Sequence, residues 1–250
     1  MNSWQLKEQA VATLAKEVGS VRKPHGDRLR VALAFPNTYY VGMSNLGFQA
    51  VYRLFNAYDE VVCERIFLPP KQQLKDQLAS RTRLITLESQ TPVGDFDVIA
   101  FSVSFEWDYT NILTMLRLAG VPIRAASRTA RDPLIVLGGA VTFVNPEPLA
   151  PFVDVVAAGE GEELVPGLID AFREGGGRID LLRALAARRG SSGRRRPAEA
   201  RPRSGLRSEL DIRCAGFPSP AGGLSCYPRG ALTARDGRLD RSTARGSAVV

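Results

Sequence analysis

The most regular feature of the chain is a series of short apolar runs separated by amphipathic segments. The longest run, DVIAFSVSF at residues 97–105, contains two serines, Ser102 and Ser104, near its carboxyl end. The runs lack the polar alternation of a half-exposed strand, so both faces of the sheet should be covered by helices, as in a parallel sheet. We predict five strands, at residues 29–35, 61–67, 97–105, 133–137 and 153–158, and a sixth possible edge strand at 84–88.

Apolar residues at helical spacing follow most of these runs. The clearest case runs from Ile112 to Leu118 and stops at Gly120 and Pro122. Further helices are predicted over residues 45–55, with Asn45 as the cap, and over 71–78, whereas 39–44 reads as a loop. A helix at 162–173 should bury Leu164, Leu168, Ile169 and Phe172. Strands alternating with helices predict an α/β fold with a doubly wound parallel sheet, Rossmann-like in type.

The middles of the predicted strands should form the core. An N-terminal helix over residues 4–18 should add one apolar side of its own, ending near Gly19. The predicted core residues are Val31, Leu33, Val62, Ile99, Phe101, Ile135, Leu137, Val153 and Val155. The predicted side of the N-terminal helix is Trp4, Leu6, Ala10, Val11, Leu14 and Val18.

The pattern divides the chain into four parts. Residues 1–27 hold the N-terminal helix and a turn, 28–175 the α/β domain, 176–190 a short helix, and 191–250 a segment rich in Arg, Gly, Pro and Ser. The overall net charge of +7 is uneven: residues 188–250 contain 14 arginines and five acidic residues, a net of +9, which leaves −2 for residues 1–187. The basicity therefore belongs to the C-terminal segment and not to the α/β domain.

Three interpretations of residues 191–250 are open. A basic arm could bind nucleic acid, but the arginines are neither interleaved with aromatic residues nor arranged on a helical face, so we do not expect a nucleic-acid partner. An aberrant end, such as a frameshift product of a truncated chain, would explain the abrupt loss of pattern near Gly190. We favour disorder, because this composition buries too little apolar surface to offset chain entropy.

The composition and the N-terminal sequence also indicate the cellular compartment of the protein. No apolar run approaches the roughly 20 residues that a membrane helix needs, and the N-terminus lacks the pattern of a secretory signal. Cys63, Cys214 and Cys226 lie too far apart for a C-x-x-C pair or a disulfide framework. We expect a cytoplasmic protein without a membrane partner.

The candidate binding residues lie in loops at the carboxyl ends of the predicted strands. Open α/β sheets bind their ligands at this edge, where glycines allow close approach and hydroxyls or free amides bind polar groups. The chain contains neither G-x-G-x-x-G nor a phosphate loop. The candidates, together with the loop at 36–47, are Ser102, Ser104, Gly138, Gly139, Thr142, Gly159, Glu160 and Gly161.

Acidic residues near these loops offer weaker candidates for chemistry. Glu160 and Glu162 could act as an acid or hold a metal, but carboxylates in the first turn of a helix also complement its dipole, and we favour that interpretation. Glu106 and Asp108 are weaker candidates for an acid or a metal ligand. The single histidine, His25, is expected to be solvated in a turn before the first strand, at the opposite end of the sheet from these loops, so no Ser/His/Asp triad can be assembled here. We assign no catalytic residue and no metal ligand.

A series of motifs gives the chain a family resemblance. In order they are FPNTYYVGMSNLG at 35–47, TLES at 86–89, FDVIAFS at 96–102, YTN at 109–111, GG at 138–139, NPEP at 145–148 and GEGE at 159–162. Residues 20–175 thereby resemble the N-terminal cobalamin-binding-like domain of an uncharacterised family of bacterial radical S-adenosylmethionine (SAM) proteins. The resemblance implies that a barrel holding a [4Fe–4S] cluster and SAM follows this domain in relatives. It also implies that loops after the parallel strands grip the nucleotide tail of a corrinoid.

The chain departs from that pattern in two ways. Cobalamin modules that ligate cobalt use D-x-H-x-x-G, but residues 37–42 read NTYYVG, with Tyr39 in place of the histidine. The C-x-x-x-C-x-x-C cluster motif is absent from these 250 residues. The resemblance thus implies that this chain is a corrinoid-binding module without its iron–sulfur barrel, and that it is not active as an enzyme alone. The alternative is a non-catalytic interaction protein that keeps the fold without a ligand.

The resemblance also suggests where the ligand would lie. Its nucleotide tail would descend between the Ser102/Ser104 loop and the Gly138-Gly139 loop, beside a wall formed by residues 159–161. A valine at Gly139 should then weaken binding more than folding, because it would add bulk on the rim of the site and not in the core.

Overall fold

The structure, a computed structural model, describes residues 3–187 and the backbone of residues 211–213. The strands are β1 (Leu29–Phe35), β2 (Val61–Phe67), β3 (Val98–Ser102), β4 (Leu134–Gly138), β5 (Val155–Ala158) and β6 (Asp211–Arg213). The helices are α1 (Ser3–Leu14), α2 (Tyr39–Met43), α3 (Leu46–Asn56), α4 (Lys71–Ser80), α5 (Tyr109–Ala119), α6 (Val141–Val144), α7 (Gly161–Arg173) and α8 (Arg178–Ala187).

The strands form one sheet in the order β2-β1-β3-β4-β5-β6. The first five are parallel, and β6 pairs antiparallel to β5. The order 2-1-3-4-5 reverses direction between β1 and β3, which is the switch point where doubly wound sheets bind ligands. The α/β class and the doubly wound parallel sheet predicted from the sequence are confirmed.

Helices cover both faces of the sheet and create two cores. Residues Leu33, Val136 and Val155 face one side, where they pack with α3, α7 and α8. Their neighbours in sequence face the other side, where Ile99, Leu137 and others pack with α5. This alternation follows from the two-residue period of a strand. All nine predicted core residues are buried.

Local signals set the bounds of the main helices. Asn45 caps α3 by accepting a hydrogen bond from the Phe48 amide at 2.9 Å. Gly120 ends α5 in the left-handed conformation, at φ 72°. The predicted inner side of α7 is confirmed, with Leu168 and Ile169 buried and Leu164 and Phe172 packed against the core.

Three local predictions were wrong. Residues 84–88 form no strand; Ile85 makes one isolated bridge to Pro92, because backbone groups of this segment bond to β2 and to the end of α5 instead. The predicted loop at 39–44 contains helix α2. Helix α1 stops at Leu14 and buries only Leu6, Ala10 and Leu14.

The remaining side chains of the predicted α1 stripe are exposed: Trp4, Val11 and Val18. A helix that rests on the edge of a domain buries a narrow stripe, so apolar residues one position to either side remain in water.

Of the C-terminal segment 191–250, only residues 211–213 are described, and they form β6 instead of irregular chain. Residues 191–210 and 214–250 lie outside the described residues, so the predicted disorder, Cys214 and Cys226 stay untested. The expected short helix at 176–190 corresponds to α8. Within the described ranges, no helix combines the length and apolarity needed to cross a lipid bilayer.

Candidate functional site

A cavity of about 430 Å³ lies between the sheet and helices α3, α7 and α8, and it extends to the loops at the carboxyl ends of β3, β4 and β5. Alternate residues of the central strands form its floor, and α3 and α7 form its walls. The strand residues on the floor are Leu33, Ala100, Ser102, Val136, Gly138, Val155 and Ala157. The cavity therefore adjoins the sheet edge where ligands of this fold class bind.

Seven of the eight predicted binding residues line this one cavity: Ser102, Ser104, Gly138, Gly139, Gly159, Glu160 and Gly161. They come from three loops that are distant in sequence and adjacent in space because β3, β4 and β5 are neighbours. Thr142 does not line the cavity. Its side chain is buried, and its hydroxyl donates to the Gly139 carbonyl at 2.8 Å, which fixes the turn after β4.

The polar side chains of the cavity belong to its mouth. Asn45 precedes α3, Ser102 and Ser104 end β3 and the loop after it, and Glu160 lies just before α7. Asn45 was predicted as a helix cap within the candidate loop at 36–47, and it lines the cavity together with Gly47 of that loop. Its Nδ2 donates to Ser104 Oγ at 3.2 Å, which joins the start of α3 to the loop after β3.

The two glycines at the carboxyl end of β4 have different roles: Gly138 is the last residue of the strand, and Gly139 begins the turn. Gly139 has a φ of 94°, and a Cβ atom there would lie 2.5 Å from the Val103 carbonyl oxygen. The predicted effect of a valine at 139 was therefore wrong, because backbone strain and a backbone clash act on folding directly. Gly138 is extended, and its Cβ would meet nothing closer than 3.8 Å, so it is the position where a side chain would enter the cavity.

The acidic residues beside the loops are not grouped for catalysis. Glu160 is exposed at the mouth, and Glu162 lies in the first turn of α7, as the dipole interpretation predicted. Glu106 is exposed in the turn that leads to α5. Within the described ranges, no group of three His, Cys, Asp or Glu residues could hold a metal ion.

Asp108 is buried and organises the loops at the switch point. Its Oδ1 accepts hydrogen bonds from Asn37 Nδ2 and Asn111 Nδ2, both at 3.1 Å. Burial raises the pKa of Asp108, and the two amide donors oppose this rise. The loop after β1 is thus held against the start of α5. The sequence named Asp108 as a weak candidate for acid or metal chemistry and did not indicate these contacts with Asn37 and Asn111.

Tyr39, which stands where a cobalt-ligating histidine would lie, does not line the cavity. Its hydroxyl donates to Glu17 Oε1 at 2.6 Å, and its ring packs edge-on against Phe67. Burial and this bond raise the pKa of Tyr39 to about 12. Glu17 in turn binds Arg65, whose guanidinium also bonds the buried Glu88 at 2.6 Å. Tyr39 therefore belongs to a buried network at the edge strand β2.

His25 is not a solvated turn residue, so that expectation was wrong. Its Nε2 lies 2.8 Å from Oε1 of the buried Glu64, and its ring packs edge-on against Phe96. Glu64 Oε2 also accepts from the hydroxyls of Thr86 and Ser89. His25 therefore belongs to a hydrogen-bond network around Glu64 of β2 and does not line the cavity.

An iron–sulfur cluster does not fit the described thiol. Cys63 is buried inside β2, and burial raises its pKa well above the ordinary value, which disfavours the thiolate that a cluster needs. With no C-x-x-x-C-x-x-C motif in the sequence, we derive no cluster chemistry for this chain.

Sheet order and helix placement define a doubly wound α/β domain of Rossmann-like type, with a cavity beside its switch point. A family model described as "Radical SAM proteins, N-terminal" matches residues 47–191, more than half of the chain. The chain belongs to this family of radical SAM proteins, as its motifs indicated. No curated protein and no solved structure matches it.

Proposed function

We propose that this chain is a corrinoid-binding N-terminal module of a radical SAM protein, and that the cavity holds the nucleotide tail of the corrinoid. The observation that carries the proposal is the convergence of seven predicted binding residues on one cavity beside the switch point. Membership of the radical SAM family supports the class of protein. SAM and the [4Fe–4S] cluster belong, in this proposal, to relatives that contain the cluster motif.

The chemistry of the lining fits such a tail. The tail combines an aromatic base with a ribose and a phosphate, so it needs an apolar interior and a polar mouth. Here the strand and helix side chains supply the apolar interior, and the hydroxyls of Ser102 and Ser104 lie at the mouth. Gly138 keeps the floor between β3 and β5 open, because any side chain there would project from the same face as Val136.

Four residues at the mouth of the cavity have specific roles in this proposal. Ser102 and Ser104 bond the ribose and phosphate, and Asn45 orients Ser104 through their hydrogen bond. The first turn of α7 presents backbone amides at Gly161 beside the same mouth. When bound, a corrinoid supplies a cobalt centre for alkyl-group chemistry. The single histidine, His25, is bonded to Glu64, so no protein histidine is available as the cobalt ligand. Tyr39, which stands at the position of a cobalt-ligating histidine, is bonded to Glu17.

Exposed aromatic side chains occur in the segments that form the mouth. Phe143 of α6 lines the cavity, and Phe105 and Trp107 come one and three residues after Ser104, with their ring centroids 5.9 Å apart. Large exposed apolar side chains grouped at one edge are typical of a binding surface. They supply apolar area for the macrocycle of a corrinoid whose tail enters the cavity.

Titration with hydroxocobalamin tests the proposal. We expect the corrin absorption spectrum to shift and the corrinoid to co-elute with the full chain in gel filtration. The variant Gly138→Val should bind at least tenfold more weakly while keeping its melting temperature, because valine favours strands and fills the floor. No binding by the wild-type chain would overturn the proposal and favour the alternative, an interaction module that keeps the fold without a ligand.

A further inference from the structure

Among the described residues that line the cavity, polar side chains occur at the mouth, up to Ser102 at the carboxyl end of β3, and none lies deeper. Every lining residue below the mouth is aliphatic or aromatic: Leu33, Val51, Phe55, Ala100, Val136, Val155, Leu164, Val165, Leu168 and Leu185. The backbone amides and carbonyls of the floor strands bond to their neighbours in the parallel ladders. A base at this depth would therefore meet apolar surface alone.

Unsatisfied polar atoms elsewhere do not change this environment. Among the described residues, the buried side-chain atoms without a hydrogen-bond partner are Gln77 Oε1 and Arg178 Nη2. Neither residue lines the cavity, and Arg178 Nη2 still lies 2.6 Å from Asp154 Oδ2 as an ion pair. The described residues of the cavity interior thus provide no unpaired buried side-chain donor or acceptor for a polar base.

We infer that the cavity selects among corrinoids by the base of the nucleotide tail, and that it takes an alkylated, apolar base in preference to a purine. This inference rests on the proposed corrinoid function. Once its ring nitrogen has left the cobalt and water has taken that position, dimethylbenzimidazole has one free ring nitrogen and two methyl groups, and the methyl groups match aliphatic walls. Adenine has several ring nitrogens and an amino group, which would lose their bonds to water without replacement.

The size of the preference follows from the cost of burying unpaired polar groups. Each such group costs enough free energy to change affinity about tenfold or more. Hydrophobic contact with the methyl groups adds to the difference. We therefore expect the dimethylbenzimidazole corrinoid to bind the full chain at least tenfold more tightly than its adenine counterpart.

Three corrinoids separate this inference from the proposed function. Hydroxocobalamin, the corresponding adenine-containing corrinoid, and cobinamide, which lacks the nucleotide, are titrated under identical conditions with the spectral shift as the readout. The expected affinity order is hydroxocobalamin, then the adenine form, then cobinamide. Equal affinity for the first two, or tighter binding of the adenine form, would overturn the inference and leave the proposed function standing. Failure of all three to bind would overturn both.

A matched pair of variants tests the location of the selectivity. Val136→Thr places a hydroxyl on the cavity floor, whereas Val156→Thr places one on the opposite face of the sheet, where Val156 is equally buried. Val136→Thr should reduce the preference for the apolar base about threefold or more, and Val156→Thr should leave it unchanged. Melting curves identify loss of folding. An unchanged preference in a folded Val136→Thr variant would overturn the assignment of selectivity to the floor.

Discussion

Gly139 lies directly against the backbone of Val103, since a Cβ atom on Gly139 would sit 2.5 Å from the Val103 carbonyl oxygen and 2.7 Å from its nitrogen. Two backbone hydrogen bonds hold this contact, from Val103 N to Gly138 O and from Val141 N to Val103 O. The loops after β3 and β4 therefore form one unit at the mouth of the cavity.

The first prediction follows from this contact. Gly139→Ala should lower the free energy of unfolding by about 1–3 kcal/mol, because it combines left-handed backbone strain with the clash on Val103. Gly138→Ala is the matched control, because it has an ordinary φ and open space, and it should change stability by less than about 0.5 kcal/mol. Urea denaturation of both variants gives the comparison. Equal stability of the two would contradict the geometry.

The second prediction concerns the core of the central strand. Ile99 is buried under α5 in the core on the face opposite the cavity. Ile99→Ala should cost about 2–5 kcal/mol, the usual range for truncation of a buried side chain. Val11→Ala, on the exposed side of α1, should cost less than about 0.5 kcal/mol. A loss below about 1 kcal/mol at Ile99 would show β3 to be peripheral.

The third prediction concerns the pH dependence at Asp108. Its folded pKa is raised by burial from an ordinary value of 3.8, so the folded state holds the proton more tightly than the unfolded chain. The stability from this group is therefore greatest below pH 3.8 and decreases as pH rises through the folded pKa. Asp108→Asn keeps an oxygen acceptor for Asn37 and Asn111 and removes the charge.

Melting temperatures of wild type and Asp108→Asn from pH 3 to pH 7 test this sign. The variant should gain stability relative to wild type as pH rises. Asp108→Ala removes the acceptor of the Asn37 amide and leaves the Asn111 amide with the Pro36 carbonyl, and it should cost about 1–3 kcal/mol at neutral pH. If the wild type instead gained stability relative to Asp108→Asn between pH 3 and pH 7, the folded state would favour the carboxylate, and the prediction would be wrong.

The fourth prediction concerns Arg65, which is buried with Glu88. Arg65→Met should cost about 3–5 kcal/mol at neutral pH, because it leaves the Glu88 carboxylate buried without its cation. Burial already raises the pKa of Glu88 against the influence of Arg65, so acid should reduce the loss by protonating Glu88. The double variant Arg65→Met/Glu88→Gln should recover part of the stability. Chemical denaturation at pH 5 and pH 7 checks both statements.

The fifth prediction concerns Tyr39. Its raised pKa, about 12, means that the stabilisation by the protonated phenol is complete below pH 10 and is lost as pH rises towards 12. Tyr39→Phe should cost about 1 kcal/mol, because it removes the bond to Glu17. Hydroxocobalamin affinity should stay within twofold of wild type, because residue 39 does not line the cavity. A tenfold loss of affinity would place the ligand at Tyr39 instead.

The site could be predicted where one local pattern carried the information. Glycine and hydroxyl residues directly after apolar runs marked Ser102, Gly138 and Gly161, because the carboxyl ends of parallel strands share one edge. Thr142 resembled them in sequence but faces its own turn, since its hydroxyl bonds the Gly139 carbonyl three residues before it. The direction of a side chain in a tight turn depends on backbone geometry that residue type alone does not specify.

The sequence by itself determined the five parallel strands and the main helices between them, the buried strand centres and the family, because these depend on local periodicity and short motifs. Only the tertiary structure decided what Gly139, His25 and Tyr39 do. Gly139 meets the backbone of Val103, and His25 and Tyr39 meet carboxylates on Glu64 and Glu17, all distant in sequence. Such partners are set by strand order and helix packing, which place residues of separate segments within bonding distance, and a linear pattern of residue types does not contain that information.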